Sequence, residues 1–282
     1  MSKLRISPAT TQRLAVAGMW LLAGITFAVL VFILGFILVH GLPHVTWSFL
    51  TQSPTSMGRA GGILPMILGT LLVAGLAVLL AAPIGVATAV YLTEYTRAGR
   101  LTAVIRFGAD CLAGVPSIIF GLFGFVFFAI ALKLGLSVLS GSLTLALMVL
   151  PTIIRTSEEA IRAVPNAYRE VSSGLGGTRW QTVFHVVLRS ALPGIATGIV
   201  LSLGRSISET AAVMLTAGSA LRLPHSLLDS SRTLALHFYL LSREGISMPN
   251  AYATASVLII AILALNLLAY ALTRRFAAKV GR

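Results

Sequence analysis

The run from Leu14 to Val39, LAVAGMWLLAGITFAVLVFILGFILV, is 26 residues long and contains no Asp, Glu, Lys or Arg. A helix needs ~20 apolar residues to cross the hydrocarbon core of a bilayer. A cleaved signal peptide has a shorter apolar core, ~7–15 residues, followed by a small-residue cleavage site. The Ala-x-Ala of this run, Ala15–Ala17, precedes the apolar core instead of following it. We therefore read it as a membrane anchor, span 1. The same criterion, worked outward, gives five more spans. Span 2 covers Ile63 to Leu92, and span 3 starts near Val104, carries Asp110 and ends before Lys133. Span 4 covers Val138 to Ile154, span 5 Ala191 to Ala217 and span 6 Ala251 to Leu272.

Composition agrees. Of the 282 residues, 57% are hydrophobic and 10% charged, whereas a soluble domain carries roughly a quarter charged residues. A soluble enzyme and a disordered tail are both excluded. The net charge of +13 would suggest nucleic acid in a soluble protein, but here the basic residues punctuate apolar runs. Fifteen lie before span 1, between spans 2 and 3, between spans 4 and 5, or after span 6; five (Arg59, Lys133, Arg222, Arg232, Arg243) lie in the alternate segments. By the positive-inside rule both termini are cytoplasmic, and the charge faces the cytoplasm and anionic headgroups, not nucleic acid. The lone cysteine, Cys111, excludes an internal disulfide framework and reads as an inert packed residue.

Polar residues inside spans carry the functional reading. In span 5, Gly194, Gly198, Ser202 and Ser206 recur every fourth residue, a small-residue stripe that admits a close helix neighbour. Leu201, Arg205 and Glu209 form the adjacent stripe, with Arg205 and Glu209 one turn apart and able to pair. A central arginine costs ~2.5–3.5 kcal/mol to insert, so it either forms a structural ion pair or lines a path. Its planar fork suits an oxyanion, and Ser202, Ser206, Ser208 and Thr210 supply hydroxyls nearby. Asp110 pairs with Arg106, one turn away, or faces a cavity; we take the pair. Pro83, Pro116, Pro151 and Pro193 sit within or at the ends of spans, where they serve helix packing or shape a cavity.

The polar stretch from Arg155 to Arg189 reads as a structured loop. Pro165 opens a short helix over Asn166 to Ser173, and Gly174, Gly176 and Gly177 close it. Thr178 and Gln181 have capping-box spacing. Trp180, Val183, Phe184, Val187 and Leu188 then form an apolar stripe of helical period. That segment rests on lipid or docks a cytoplasmic partner, and periodicity leaves both open. His40 and His44 are separated by the helix breakers Gly41 and Pro43, so no metal site is expected. Lys3, Lys133 and Lys279 are followed by Leu4, Leu134 and Val280, so the chain lacks a P-loop. Neither a Gly-x-Ser-x-Gly elbow nor a His-Glu-x-x-His motif is present, and we expect no catalytic residue and no resident cofactor.

Glu170-Val-Ser-x3-Gly176 resembles the Glu-Ala-Ala-x3-Gly signature of permease subunits of binding-protein-dependent ABC importers. It departs at Val171 and Ser172, and at Arg189, which stands in place of proline in Val186-Val187-Leu188-Arg189. The blocks GGILPMILGTLL (61–72), APIGVATAVYLTEY (82–95), LAGVPSIIFGLFG (112–124), LTLALMVLPTIIRTSEEAIRAVPNAYRE (143–170), LPGIATG (192–198) and GRSISETA (204–211) are together similar to phosphate permease subunits of the PstA type. The resemblance implies an all-α polytopic fold of the type I importer kind, with a coupling helix between spans 4 and 5. It implies residues 1–60 as an N-terminal segment, first span and external loop, and 61–282 as the permease domain. It further implies a homologous sister permease (a heterodimer), an ABC ATPase dimer that binds the ATP, and an extracytoplasmic phosphate-binding protein, all at a bacterial inner membrane. Pro165, Tyr168, Arg169, Glu170, Gly174, Gly176 and Gly177 would form the loop that couples to the ATPase. Arg205 and Glu209, with Ser202 and Ser206, would line the substrate pathway. The arginine alone would equally admit sulfate, molybdate, arsenate or phosphonate. An ion-coupled secondary transporter is the rival class; it would show inverted repeats and intramembrane acids, and neither stands out here.

Overall fold

The computed structural model describes residues 8–96 and 99–280, with side chains described up to residue 271 except those of residues 8 and 10. Lys3, Arg5, Arg97 and Arg282, and the side chains of Arg274, Arg275 and Lys279, which the orientation reading used, lie outside the described residues. Helix α1, Pro8–Gly41, is the first span. It ends where Gly41 and Pro43 interrupt the ladder. A short helix α2, Trp47–Thr51, is capped by Thr46, whose hydroxyl accepts from the Phe49 amide at 3.2 Å. A two-residue antiparallel hairpin, β1 (Pro54–Thr55) with β2 (Ala60–Gly61), follows. Gly58 makes its tight turn with φ +96°, a region in which a Cβ would clash.

Helix α3, Leu64–Val90, starts with Pro65 in its first turn, where the missing amide hydrogen costs nothing. A wider turn, Tyr91–Tyr95, extends it. Span 3 is not one helix. Helix α4, Arg100–Ala113, and helix α5, Ser117–Gly124 with its wider continuation to Ala131, meet at 101°. Pro116 forces the residue before it out of helical geometry, and Gly114 offers little resistance. Helix α6, Val138–Arg162, runs two turns beyond the expected end at Ile154. The extra turns stay helical because Ser157, Glu158 and Ile161 are buried against the bundle.

After α6 come α7, Asn166–Gly174, and the short turn α8, Arg179–Gln181. Thr182–Val187 continues α8 as a wider helical turn into α9, Leu188–Ser208. The stripe expected on a separate loop helix is therefore the first two turns of span 5, since no breaker lies between Thr178 and Pro193. Span 5 itself stops at Ser208 and does not reach Ala217. Glu209 is extended (φ −74°, ψ 132°), and helix α10, Ala211–Thr216, restarts beyond it. Helix α11, Leu234–Arg243, lies in the segment before the last helix, α12, Met248–Val280.

Among the described residues, five helices are long and apolar enough to cross a membrane, and the bent pair α4–α5 makes a sixth candidate span. The chain is all-α apart from the small hairpin. Its main core joins Val73, Ala77 and Ala81 of α3 to Leu145, Met148 and Ile153 of α6, with Phe120, Ala212 and Val213 against them. A second core, around Ala89, Ile161, Val164, Val183, Val187 and Ile195, gathers where α7 and α8 attach. The outer faces of α1 and α5 are lined with exposed Leu, Phe and Ile, as a surface in contact with lipid tails requires.

Candidate functional site

The small-residue stripe of α9 packs as its spacing predicts. A Cβ at Gly194 would come 2.6 Å from that of Ala160, and one at Gly198 would overlap Thr156. Both partners lie on α6, so the stripe is what lets α9 lie against it. Ser202 and Ser206 continue this buried face, 0% and 3% exposed, and their hydroxyls have no hydrogen-bond partner among the described residues.

Arg205 lies on the neighbouring face with exposed Leu201 and points out of the bundle. It makes no ion pair or hydrogen bond among the described residues. The pairing with Glu209 that helical spacing suggests is not made, because the helix ends one residue earlier. The Glu209 carboxylate instead accepts from the Ala212 amide at 3.4 Å and caps the restart of the helix. The four residues expected to act together thus divide: two hydroxyls face inward, the guanidinium faces outward, and the carboxylate sits at a break in the span.

The loop after α6 folds as a compact device. Pro165 leads into α7; Gly176 turns the chain at φ +81°, and a Cβ at Gly177 would meet the Ser172 carbonyl at 2.8 Å. The capping box forms in both directions: Gln181 N donates to Thr178 Oγ1 (3.3 Å), and Thr178 N donates to Gln181 Oε1 (2.9 Å). The Ser172 and Thr182 hydroxyls, 2.8 Å apart, join α7 to the next helix.

Arg169 fixes α7 from beneath. Its Nη2 donates to Glu94 Oε1 (2.6 Å) and to the Ile161 carbonyl (3.1 Å), and its Nη1 donates to the Val164 carbonyl (2.8 Å). Arg169 therefore faces the bundle and not the outer surface of the loop. On the opposite face, Tyr168, Val171 and Leu175 are 49%, 62% and 84% exposed, with exposed Glu170 beside them. Beside these side chains lies a concavity of about 750 Å³, which His185 and Arg189 also line. These three side chains make an exposed apolar crest on and just after a short, otherwise polar helix.

Further ion pairs brace the same end. Glu158 receives Arg106 (2.7 Å) from α4 and Arg162 (2.6 Å) from its own helix. Asp110 pairs with Arg155 of α6, not with Arg106 as expected; the cross-helix partner lies closer than the in-helix one. Glu94, Glu158, Arg155 and Arg179 were not singled out from sequence. Apart from the Glu158–Arg162 pair, which has i, i+4 spacing on α6, their partners are tens of residues away, and no local spacing signals them.

Residues 81–282 match the family described as binding-protein-dependent transport system inner membrane component. The chain is 33% identical over 276 residues to the probable ABC transporter permease protein YqgI of Bacillus subtilis, covering 92% of this chain and 94% of that one. It is 37% identical over 251 residues to the phosphate transport system permease protein PstA 1 of Mycobacterium tuberculosis H37Rv, covering 85% and 80%. In fold it is similar to a chain of a bacterial alginate ABC transporter solved with an alginate-bound periplasmic protein (TM-score 0.70, 14% identity, 97% and 98% covered). It is also similar to a chain of the MetNI methionine ABC transporter (TM-score 0.64, 18% identity, 76% and 95% covered). The multi-span helical architecture and these likenesses agree: the chain belongs to the family of inner membrane permease components of binding-protein-dependent ABC importers and is a non-catalytic membrane subunit.

Proposed function

We propose that this chain carries inorganic phosphate through the membrane as one half of an ATP-driven importer. The observation that carries the reading is Arg205: a guanidinium in the last turn of an apolar helix, just before the break at Glu209, facing out of this chain's own bundle, with no acid to neutralise it among the described residues. A homologous sister permease packed on that face would enclose it in a shared path. Its planar fork would then meet a passing oxyanion. Glu209, one helical break away, would keep that binding weak enough for release. The likeness to phosphate permeases from several bacteria supports phosphate over sulfate, molybdate or phosphonate.

In this reading the crest of α7, with Tyr168 and Glu170 exposed, rests in a groove of an ABC ATPase dimer, and ATP is bound there and not here. Pro165, Gly174, Gly176 and Gly177 shape that contact. A phosphate-binding protein delivers the ion to the opposite face. Both termini and α7 are cytoplasmic, and the permease unit spans residues 61–282 with residues 1–60 as an added anchor and external loop. The test of cargo is competition. Uptake of labelled phosphate by vesicles carrying the full transporter should be suppressed by unlabelled phosphate or arsenate and untouched by equal sulfate, molybdate or phosphonate. Equal suppression by sulfate would change the cargo.

A further inference from the structure

Behind α7, on the side away from its exposed crest, lies a second cavity of about 490 Å³. It is walled by the end of α3, by α4, by the end of α6, by α7 and by α8. Four arginines line it, Arg106, Arg162, Arg169 and Arg179, against a single carboxylate, Glu94. Two carboxylates serve these cations: Glu94 takes Arg169, and Glu158 takes both Arg106 and Arg162. That leaves two positive charges in excess. Arg179 has only neutral partners among the described residues, the Glu94 backbone carbonyl and the Tyr95 ring at 5.3 Å. The Asn166 amide adds a polar wall. Guanidinium groups from four separate elements line this one cavity, and a guanidinium fork matches the oxygens of a phosphate group.

We infer that this cavity binds a phosphate-group anion, either free inorganic phosphate or the phosphate of an anionic lipid headgroup. The site is separate from Arg205, and the inference does not depend on which ion the chain transports. An anion there would bridge Arg179 and Arg162, and through them α8 and α6, beside the Arg169 anchor of α7. It would hold the docking helix against the bundle and so act on coupling without lying on the path.

The experiment is thermal unfolding of the isolated complex containing the full chain, in nanodiscs. In discs of phosphatidylcholine alone, inorganic phosphate is titrated against sodium chloride at matched ionic strength. In a second arm, phosphatidylglycerol replaces part of the phosphatidylcholine and no phosphate is added. Ligand that binds the folded state raises the midpoint saturably. A rise with phosphate whose apparent affinity falls at least tenfold in the double variant R162Q/R179Q assigns free phosphate to the site. A rise with phosphatidylglycerol that the same variant abolishes assigns the headgroup. If both rises persist in the variant, or chloride produces the same rise, the inference is overturned. Should the double variant fail to assemble, Arg162→Gln alone carries the test, with about threefold loss expected, because Glu158 keeps Arg106 as its partner.

Discussion

Arg169 of α7 and Glu94 at the end of α3 meet at 2.6 Å, with only 22% and 11% of their side chains exposed. Through this pair α7 is tied to the span that contributes Val73, Ala77 and Ala81 to the main core. Arg169 also holds the end of α6 through the Ile161 carbonyl, and the segment just after it through the Val164 carbonyl.

Arg169→Ala removes one partner of a mostly buried pair. Such losses cost about 3–5 kcal/mol when burial is complete; partial exposure here lowers the figure to about 2 kcal/mol. Transport should fall more than tenfold. Arg169→Lys should restore little, because one ammonium cannot serve the carboxylate and both carbonyls. Uptake and the unfolding midpoint, measured on the same preparations, check both statements.

Tyr168 and Leu175 behave oppositely, because they are exposed and touch little of this chain. Tyr168→Ala with Leu175→Ser should change stability by no more than about 0.5 kcal/mol. The ATPase subunit should nevertheless be lost from the purified complex. Loss of the ATPase on co-purification, with an unchanged midpoint for this chain, is the expected result.

Gly198→Val drives two methyl groups into Thr156. Overpacking of this kind costs about 1–3 kcal/mol, and here it parts α9 from α6. The variant should reach the membrane in reduced amount, whereas Thr156→Ala, which opens space, should accept it better. Membrane levels of the single and double variants test the coupling.

His237 on α11 is buried against Gly58 of the hairpin, and burial, aided by the Arg232 charge, lowers its pKa to about 4. The unfolded chain takes up a proton near the ordinary value of about 6.5 while the folded chain resists. Stability should therefore be constant above that value, decline by about 1 kcal/mol per unit as pH falls below it, and level off near the folded pKa. His237→Gln should flatten the slope between pH 6.5 and 4. Unfolding midpoints of the two proteins across that range decide it.

Arg205→Gln should leave membrane insertion intact, or improve it, since a charge is removed from the last turn of a membrane-spanning helix. Phosphate uptake should drop at least tenfold with complex assembly unchanged. Undiminished uptake would remove Arg205 from the pathway.

Much of this was legible before the structure. Spans announce themselves by length and by gaps in charge, and the Thr178–Gln181 cap and the Gly194–Gly198 stripe follow from short-range spacing. What escaped is long-range or local in a way residue types hide. Glu94 and Arg169 are 75 residues apart; nothing near either one names the other. Asp110 had a plausible partner one turn away, and tertiary packing supplied Arg155 instead. The stretch Ser206–Ala211 contains no proline or glycine, so the break at Glu209 had no sequence signal; there a side-chain cap on Ala212 replaces the backbone ladder. The Gly114–Pro116 pair did mark the sharp turn in span 3, yet a proline can as readily mark a mild bend.

The central claim is that this chain serves an ATP-driven phosphate importer. Its most direct test is labelled phosphate uptake by vesicles carrying the chain with its sister permease and ATPase, with and without internal ATP and external binding protein. The account predicts uptake only when both are present, insensitive to collapse of ion gradients. Uptake that proceeds without ATP and stops when an ion gradient is dissipated would contradict it.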